Sequence, residues 1–190
     1  MAVSDVDICN LALQMLGAAS ITGLPPSDTS TNAKACNACY EKLRDKELRV
    51  NRWGFAKRRV VLAPDATAPA FDFLYAFSWP SDCLRPLRPQ NRNDCDWQFE
   101  NKKILTNDGD TLNLVYIARV TDPNNFDAAF VEALAAKMAW HMCEAITQSN
   151  TKKADALKAY DRIIAEAKLA NSIEQVPEDP ADDLWITARL

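Results

Sequence analysis

The stretch "NAKACNACYEKLRD", residues 32–45, decides what kind of molecule this is. It carries Cys36-x-x-Cys39 inside a run that otherwise reads as helix. Such a pair serves a metal or a redox reaction in one setting and simple packing in another. Structural zinc wants four ligands, usually with a second close Cys or His pair. Cys83 and Cys95 stand twelve apart and neither belongs to such a pair. A redox C-x-x-C opens a helix after a strand, where the helix terminus lowers the thiol pKa. Here the pair begins several residues into its helix, after a loop. On that helix Cys36, Cys39, Tyr40 and Leu43 share one face, and a buried Cys acts as a small apolar residue. The stretch therefore reads as the packed face of a helix in a bundle, with no metal and no cofactor.

Outward from it, the helical period extends from about Thr29 or Ser30 to Asn51. Upstream, Ser4 and Asp7 form a variant capping box. Ile8, Leu11, Ala12, Met15 and Leu16 come next at helical spacing, and Gly17 suits a left-handed stop. "TGLPPSDTSTN" is a loop broken by Pro25-Pro26. Downstream of residue 52 the character changes. Prolines stand at 64, 69, 80, 86 and 89, between short segments rich in aromatic and β-branched residues: "RRVVLA", "FDFLYAF", "CLRPLR", "WQFE", "KKILT" and "TLNLVYIARV". They predict a small, mostly antiparallel sheet with its prolines at edges and loops. Asp108-Gly109 predicts a hairpin between the last two segments.

Helical period returns after Asp122-Pro123. Phe126, Phe130, Ala133, Leu134, Met138, Met142 and Ala145 form one stripe. "TQSNTKK" breaks it, and "ADALKAYDRIIAEAKLANS" forms a further helix with Leu157, Tyr160, Ile164, Ala167 and Asn171 on one face. Alanine is dense in both helices, which favours helix and lets neighbours approach closely. The predicted organisation is α+β. A bundle of about four helices is built from 1–52 and 123–173, with a β-rich insertion at 53–122 and an extended C-terminal tail at 174–190.

The totals fit this picture. A chain of 190 residues, 48% hydrophobic, is large enough for its own core. No apolar run approaches the roughly 18 residues of a membrane span, so no membrane partner is expected. The N-terminus lacks the basic cluster of a signal peptide, and six scattered cysteines suit reduced assembly in a cytoplasm. Nucleophile elbows, zincin motifs and P-loops are absent from the sequence, which holds only four glycines. The one histidine, His141, lies two residues from Cys143. On a helix their side chains diverge by about 200°, a poor pair for nucleophilic catalysis. No catalytic residue is expected, and the chain is read as not an enzyme.

Charge is unevenly spread. The net charge is −4. Yet Arg44, Lys46, Arg49, Arg52, Lys57, Arg58 and Arg59 oppose only Asp45 and Glu47, a local net of +5. Arg85, Arg88 and Arg92 form a second cluster. Such a stretch is a solvated face with salt bridges, or a patch facing phosphate or an acidic partner. The tail "EQVPEDPADDLWITARL" carries five acids and two prolines before an apolar end. Alone it buries too little to fold. Its composition suits docking onto a partner or packing back onto its own bundle.

The order of these segments is similar to a known pattern. "DICNLALQMLGA" opens, then "ACNACYEKLRDKELRVNRWGFAKRRVVLA", then "FLYAFSWPSDCLRPL", then "WQFENKKILTNDGDTLNLVYIARVTDPNNFDAAFVEALAAKMAWHMCEAIT", then "AYDRIIAEAKLANSIEQ" and "DDLWITARL". Together they resemble the head-to-tail adaptor family of short-tailed bacteriophages, the tail tubular protein A-like proteins, over essentially the whole chain. W-x-F-A at residues 53–56 and P-x-D-C-L-R at residues 80–85 are its sharpest elements. The family's H-P-W pattern is replaced by Asn51-Arg52-Trp53, so no proline marks the helix end near residue 52.

The resemblance implies a structural virion protein at the head–tail junction. It forms a ring, typically dodecameric, below the portal protein, extends the channel for packaged double-stranded DNA, and offers a platform to the tail nozzle protein. It further implies a tail that docks on the portal, which falls here on Leu184, Trp185, Ile186, Arg189 and Leu190. Within that ring Arg44, Arg49, Arg52, Arg58 and Arg59 form a candidate DNA-facing or inter-subunit basic patch. Two alternatives stand beside it: a neck or connector protein of a long-tailed phage, and a cell-wall hydrolase built from carboxylates.

Overall fold

A computed structural model of the chain describes residues 3–89, 97–109 and 111–174. The first helix, α1 (Asp5–Leu16), starts and stops where its sequence requires. The Ser4 hydroxyl accepts from the Asp7 amide, and the Asp7 carboxylate accepts from the Ser4 amide. Gly17 closes the helix at φ 69°, where a side chain is disfavoured. Ser30 caps α2 (Thr31–Val50) through the Ala33 amide, and Asn51 ends it without a proline.

Asp122-Pro123 opens a single 3₁₀ turn, Pro123–Asn125, and Asp127 then caps α3 (Ala128–Thr147). Gln148, in the left-handed region, ends α3. The last helix, α4 (Asn150–Ile173), begins earlier than its apolar stripe suggests, because Ser149 caps it through the Lys152 amide. Most of "TQSNTKK" is thus helical, and the break narrows to Gln148-Ser149.

The helix α3 is central. Its small residues Ala133, Ala135, Ala136 and Ala139 are buried together with Phe130, Leu134, Met138 and Met142. It packs against α1, α2 and α4. On α1 the buried set is Ile8, Cys9, Ala12, Leu13 and Leu16. The expected Met15 stays largely exposed, because Cys9 and Leu13 turn inward instead.

All six predicted strands form: β1 (Lys57–Leu62), β2 (Tyr75–Ser78), β3 (Cys83–Pro89), β4 (Trp97–Glu100), β5 (Lys103–Thr106) and β6 (Leu112–Ala118). They make two antiparallel sheets of three strands, ordered β1-β6-β3 and β2-β5-β4. Pro86 and Pro89 lie on the edge strand β3, whose register shifts around them, as the missing amide hydrogens require.

The hairpin expected at Asp108-Gly109 does not form, since β5 and β6 belong to different sheets. The tight hairpin is β4–β5. Asn101 and Lys102 both take positive φ there, between the paired residues Glu100 and Lys103, the conformation a two-residue type I′ turn demands. Gly109 serves another need: a Cβ there would lie 2.4 Å from the Tyr75 ring.

The strand β6 holds the layers together. Leu112, Leu114, Tyr116 and Ala118 join Phe77 and Ile104 of the other sheet in one core. On its opposite face Ile117 joins Leu84, Val120 and the helices in a second core. Trp53, Phe55, Phe126 and Phe130 cluster at that junction, with Phe126–Phe130 ring centroids at 5.0 Å and Trp53–Phe130 at 5.2 Å. The W-x-F-A element is thus the joint between bundle and sheet, and the β-rich span shares the helical core.

This arrangement predicts which strand positions matter. Leu114→Ala should cost about 2–5 kcal/mol in a denaturant titration. Val61→Ala, on the exposed face of edge strand β1, should cost less than about 1 kcal/mol. Equal losses at the two positions would contradict the layered order.

Candidate functional site

The basic run of residues 44–59 crosses from the last turns of α2 into β1 and divides into two groups. The first is consumed inside the subunit. Arg44 departs from the expected patch: it is buried, 5% exposed. Its Nε and one terminal nitrogen donate to a single Asp45 carboxylate oxygen at 3.0 and 2.9 Å, and its guanidinium lies 5.9 Å from the Tyr40 ring centre. Asp45 also accepts from Arg119 Nε at 2.7 Å, which ties α2 to the segment leaving β6. The reason is position: Arg44 follows Leu43 and precedes Glu47 and Leu48 on the buried side of α2.

Glu47 is the most enclosed charge of the run, 3% exposed. Its Oε1 faces Lys137 Nζ of α3 at 3.6 Å and accepts from the Tyr160 hydroxyl of α4 at 3.1 Å. Its Oε2 accepts from Asn51 Nδ2 at 3.2 Å. Even its backbone carbonyl is occupied, by Asn51 Nδ2 at 3.2 Å and Trp53 Nε1 at 3.1 Å. Lys137 is 8% exposed, and its ammonium sits 4.2 Å and 4.8 Å from the ring centres of Tyr160 and Trp140. Sequence reading missed this cluster. Lys137 stands within the apolar stripe of α3, between Leu134 and Met138, and a lone cation on such a face was the available signal.

The second group faces outward. Arg49, Arg52, Arg58 and Arg59 are exposed. Arg49 donates to the Leu84 carbonyl and Arg85 to the Val50 carbonyl, joining α2 to β3. Arg58 pairs with Asp82 at 3.0 Å, and Asp82 also accepts from the Tyr116 hydroxyl at 3.1 Å. Among the described residues Arg59 has no ion pair. The P-x-D-C-L-R element thus holds β3 in place through Asp82, Leu84 and Arg85. Arg92, Cys95 and the portal-docking set Leu184, Trp185, Ile186, Arg189 and Leu190 lie outside the described residues, as does the side chain of Arg88.

Cys36 and Cys39 are buried, next to Cys9 of α1. Burial, reinforced by Cys36, pushes the Cys39 thiol up to about 11. Cys83 is likewise pushed up to about 11, by burial and then by Asp82. The Cys36 thiol moves the other way, lowered by its side-chain hydrogen bond with Cys9 against the effect of burial. Among the described residues no group of three His, Cys, Asp or Glu side chains forms a metal cage. His141 is exposed on α3. No helix among the described residues is long and apolar enough to cross a membrane.

Exposed large apolar side chains include Val50 and Val61 and two neighbouring pairs. Phe71, 77% exposed, and Leu74 lie on the loop before β2. Leu169 and Ile173 lie one helical turn apart at the end of α4. No protein-family model matches this chain, and no curated protein matches it.

The buried charges lead to two expected outcomes. Lys137→Met strands Glu47 without its cation and should cost about 3–5 kcal/mol, whereas Glu47→Leu with Lys137→Met should recover most of that loss. Urea titration of the two variants measures the difference, and equal stability would contradict the pair. The Tyr160 hydroxyl is held protonated by burial and by Glu47, and Tyr40 by burial and by Asp5. Raised folded pKa values give stability that is complete below about pH 10, the unfolded tyrosine value, and lost as pH climbs above it. Tyr40→Phe and Tyr160→Phe should each flatten the alkaline fall in stability; unchanged slopes would contradict the assignment.

Proposed function

We propose that this chain is a structural virion protein, the head-to-tail adaptor of a short-tailed bacteriophage. Its copies close a dodecameric ring below the portal protein, at the head–tail junction, after assembly in the host cytoplasm. The ring extends the channel for double-stranded DNA and presents a platform to the tail nozzle protein. No catalytic step is part of this role.

The observation that carries the reading is the pairing of two unlike exposed apolar patches with buried charges that are matched inside the subunit. Ring closure uses a heterologous contact, in which one surface meets a different surface of the next copy. Phe71 and Leu74 sit on a loop of the β layers, and Leu169 and Ile173 on the end of α4. Neither patch is covered by the described residues of its own subunit. The charges that would oppose burial in an interface are held inside, as Arg44 with Asp45 and Glu47 with Lys137. The order of segments that resembles the adaptor family supports the same role. Arg49, Arg52, Arg58 and Arg59 then serve the channel or the contact between subunits, and Leu184, Trp185, Ile186, Arg189 and Leu190 serve the portal. Arg44 has no share in that surface.

Mass measurement of the purified chain, alone and with the portal protein of the same genome, tests the role. A complex of ring stoichiometry should form on the portal. Deleting residues 176–190 should abolish its capture without unfolding the chain. A chain that ignores the portal, or a truncated chain captured as well as the full one, would contradict the proposal.

A further inference from the structure

The loop before β2 ends in a strained tip. The Phe73 amide donates to the Phe71 carbonyl at 2.8 Å across Asp72, whose φ is 67°. This is a γ-turn of the rare, strained kind, and strain of this sort gathers at binding and switch sites. The Leu74 amide donates to Asn107 Oδ1 at 3.0 Å, which fixes the tip from behind. Phe71 and Leu74 are 77% and 63% exposed. Asp72 stands between them, exposed, and its carboxylate has no partner among the described residues.

A groove of matching character lies on the helical bundle. Its volume is about 680 Å³, and α1, α3 and α4 line it. Met15, Leu16, Ala136, Ala139 and Ile163 are among its apolar residues, and Met15 is 42% exposed. Lys152 and Arg162 line the α4 side; both are exposed and have no ion pair among the described residues. Glu132 lines the α3 side, while the other acid of the groove, Asp155, pairs with Lys158 at 3.9 Å. Among the described residues, none from either sheet lines the groove.

We infer that this groove receives the loop tip of a second copy of the chain. Phe71 and Leu74 enter over Ala136 and Ala139, and the Asp72 carboxylate pairs with Arg162. A Phe side chain buries about 150–250 Å² when enclosed, and a guanidinium–carboxylate pair fixes the direction of approach. The two surfaces belong to different parts of the subunit, the tip to the outer sheet and the groove to the bundle. The contact is therefore heterologous and repeats from copy to copy. The inference rests on the adaptor reading for closure of the ring, and it names the surfaces that neighbouring copies share.

The full chain with a photoreactive benzoylphenylalanine in place of Phe71 tests it, both free at high concentration and bound to the portal protein. Irradiation should give crosslinks between chains, to residues 15–16, 136–139 or 159–163. Asp72→Asn should lower the yield by removing the charge, and Arg162→Glu should lower it about tenfold by placing like charges together. With Arg162→Glu in place, Asp72→Asn should instead raise the yield, a reversal of sign that mere loss of fold does not produce. A ring on the portal with crosslinks elsewhere, or without that reversal, would overturn the inference and leave the adaptor reading standing. Copies joined through the groove that ignore the portal would uphold the inference and overturn that reading. Crosslinks within one chain, or none between copies in either state, would overturn the inference.

Discussion

The carboxylate of Glu47 is the constraint around which the subunit is arranged. A charge this enclosed is tolerated only when its oxygens are occupied, and they are: by Lys137 of α3, by Tyr160 of α4 and by Asn51 at the end of its own helix. The three-helix contact of α2, α3 and α4 therefore has one satisfactory registration. A slip of any helix by one turn would leave a buried charge unpaired, at a cost of several kcal/mol. A hydrophobic replacement of similar volume can be equally stable, so the pair acts as a registration device more than as a source of stability.

The rest of α2 extends the same logic. Tyr40 reaches Asp5 of α1 at 2.6 Å, Asp45 reaches Arg119 beyond β6, and Arg49 reaches the Leu84 carbonyl of β3. One helix thus fixes the other three and the nearer sheet. That sheet in turn fixes the outer one through the two buried faces of β6. Polar groups set directions, while the alanine-rich face of α3 and the Trp53–Phe130 aromatic cluster supply the contact area. The consequence is a subunit that buries Arg44, Glu47 and Lys137 while apolar side chains such as Phe71, Leu74, Leu169 and Ile173 stay exposed.

Much of this was legible in the sequence, and the exceptions share a cause. Capping residues announce helix ends because they act within three or four positions, so Ser4 and Gly17 read correctly. The six strands read correctly because turn residues and aromatic runs are local signals. Asp108-Gly109 misled because its glycine answers to the Tyr75 ring, a contact between distant residues, while the true hairpin turn uses Asn101-Lys102, a weak turn signal. Burial of Arg44, Glu47 and Lys137 was hidden for the same reason. Each looks like a surface residue until its partner on another element is known. The Cys36–Cys39 pair was legible as packing because helical spacing alone placed it beside Tyr40 and Leu43.

Charges held inside the subunit, on the adaptor reading, leave two unlike outward patches for assembly into a ring. Imaging the chain within assembled particles at side-chain resolution tests that claim most directly. The predicted result is a closed ring of copies, each with Glu47, Lys137 and Tyr160 together, and with Phe71, Leu74, Leu169 and Ile173 buried against neighbouring subunits or partner proteins. A particle without such a ring, or a ring that leaves those four side chains in solvent, would contradict it.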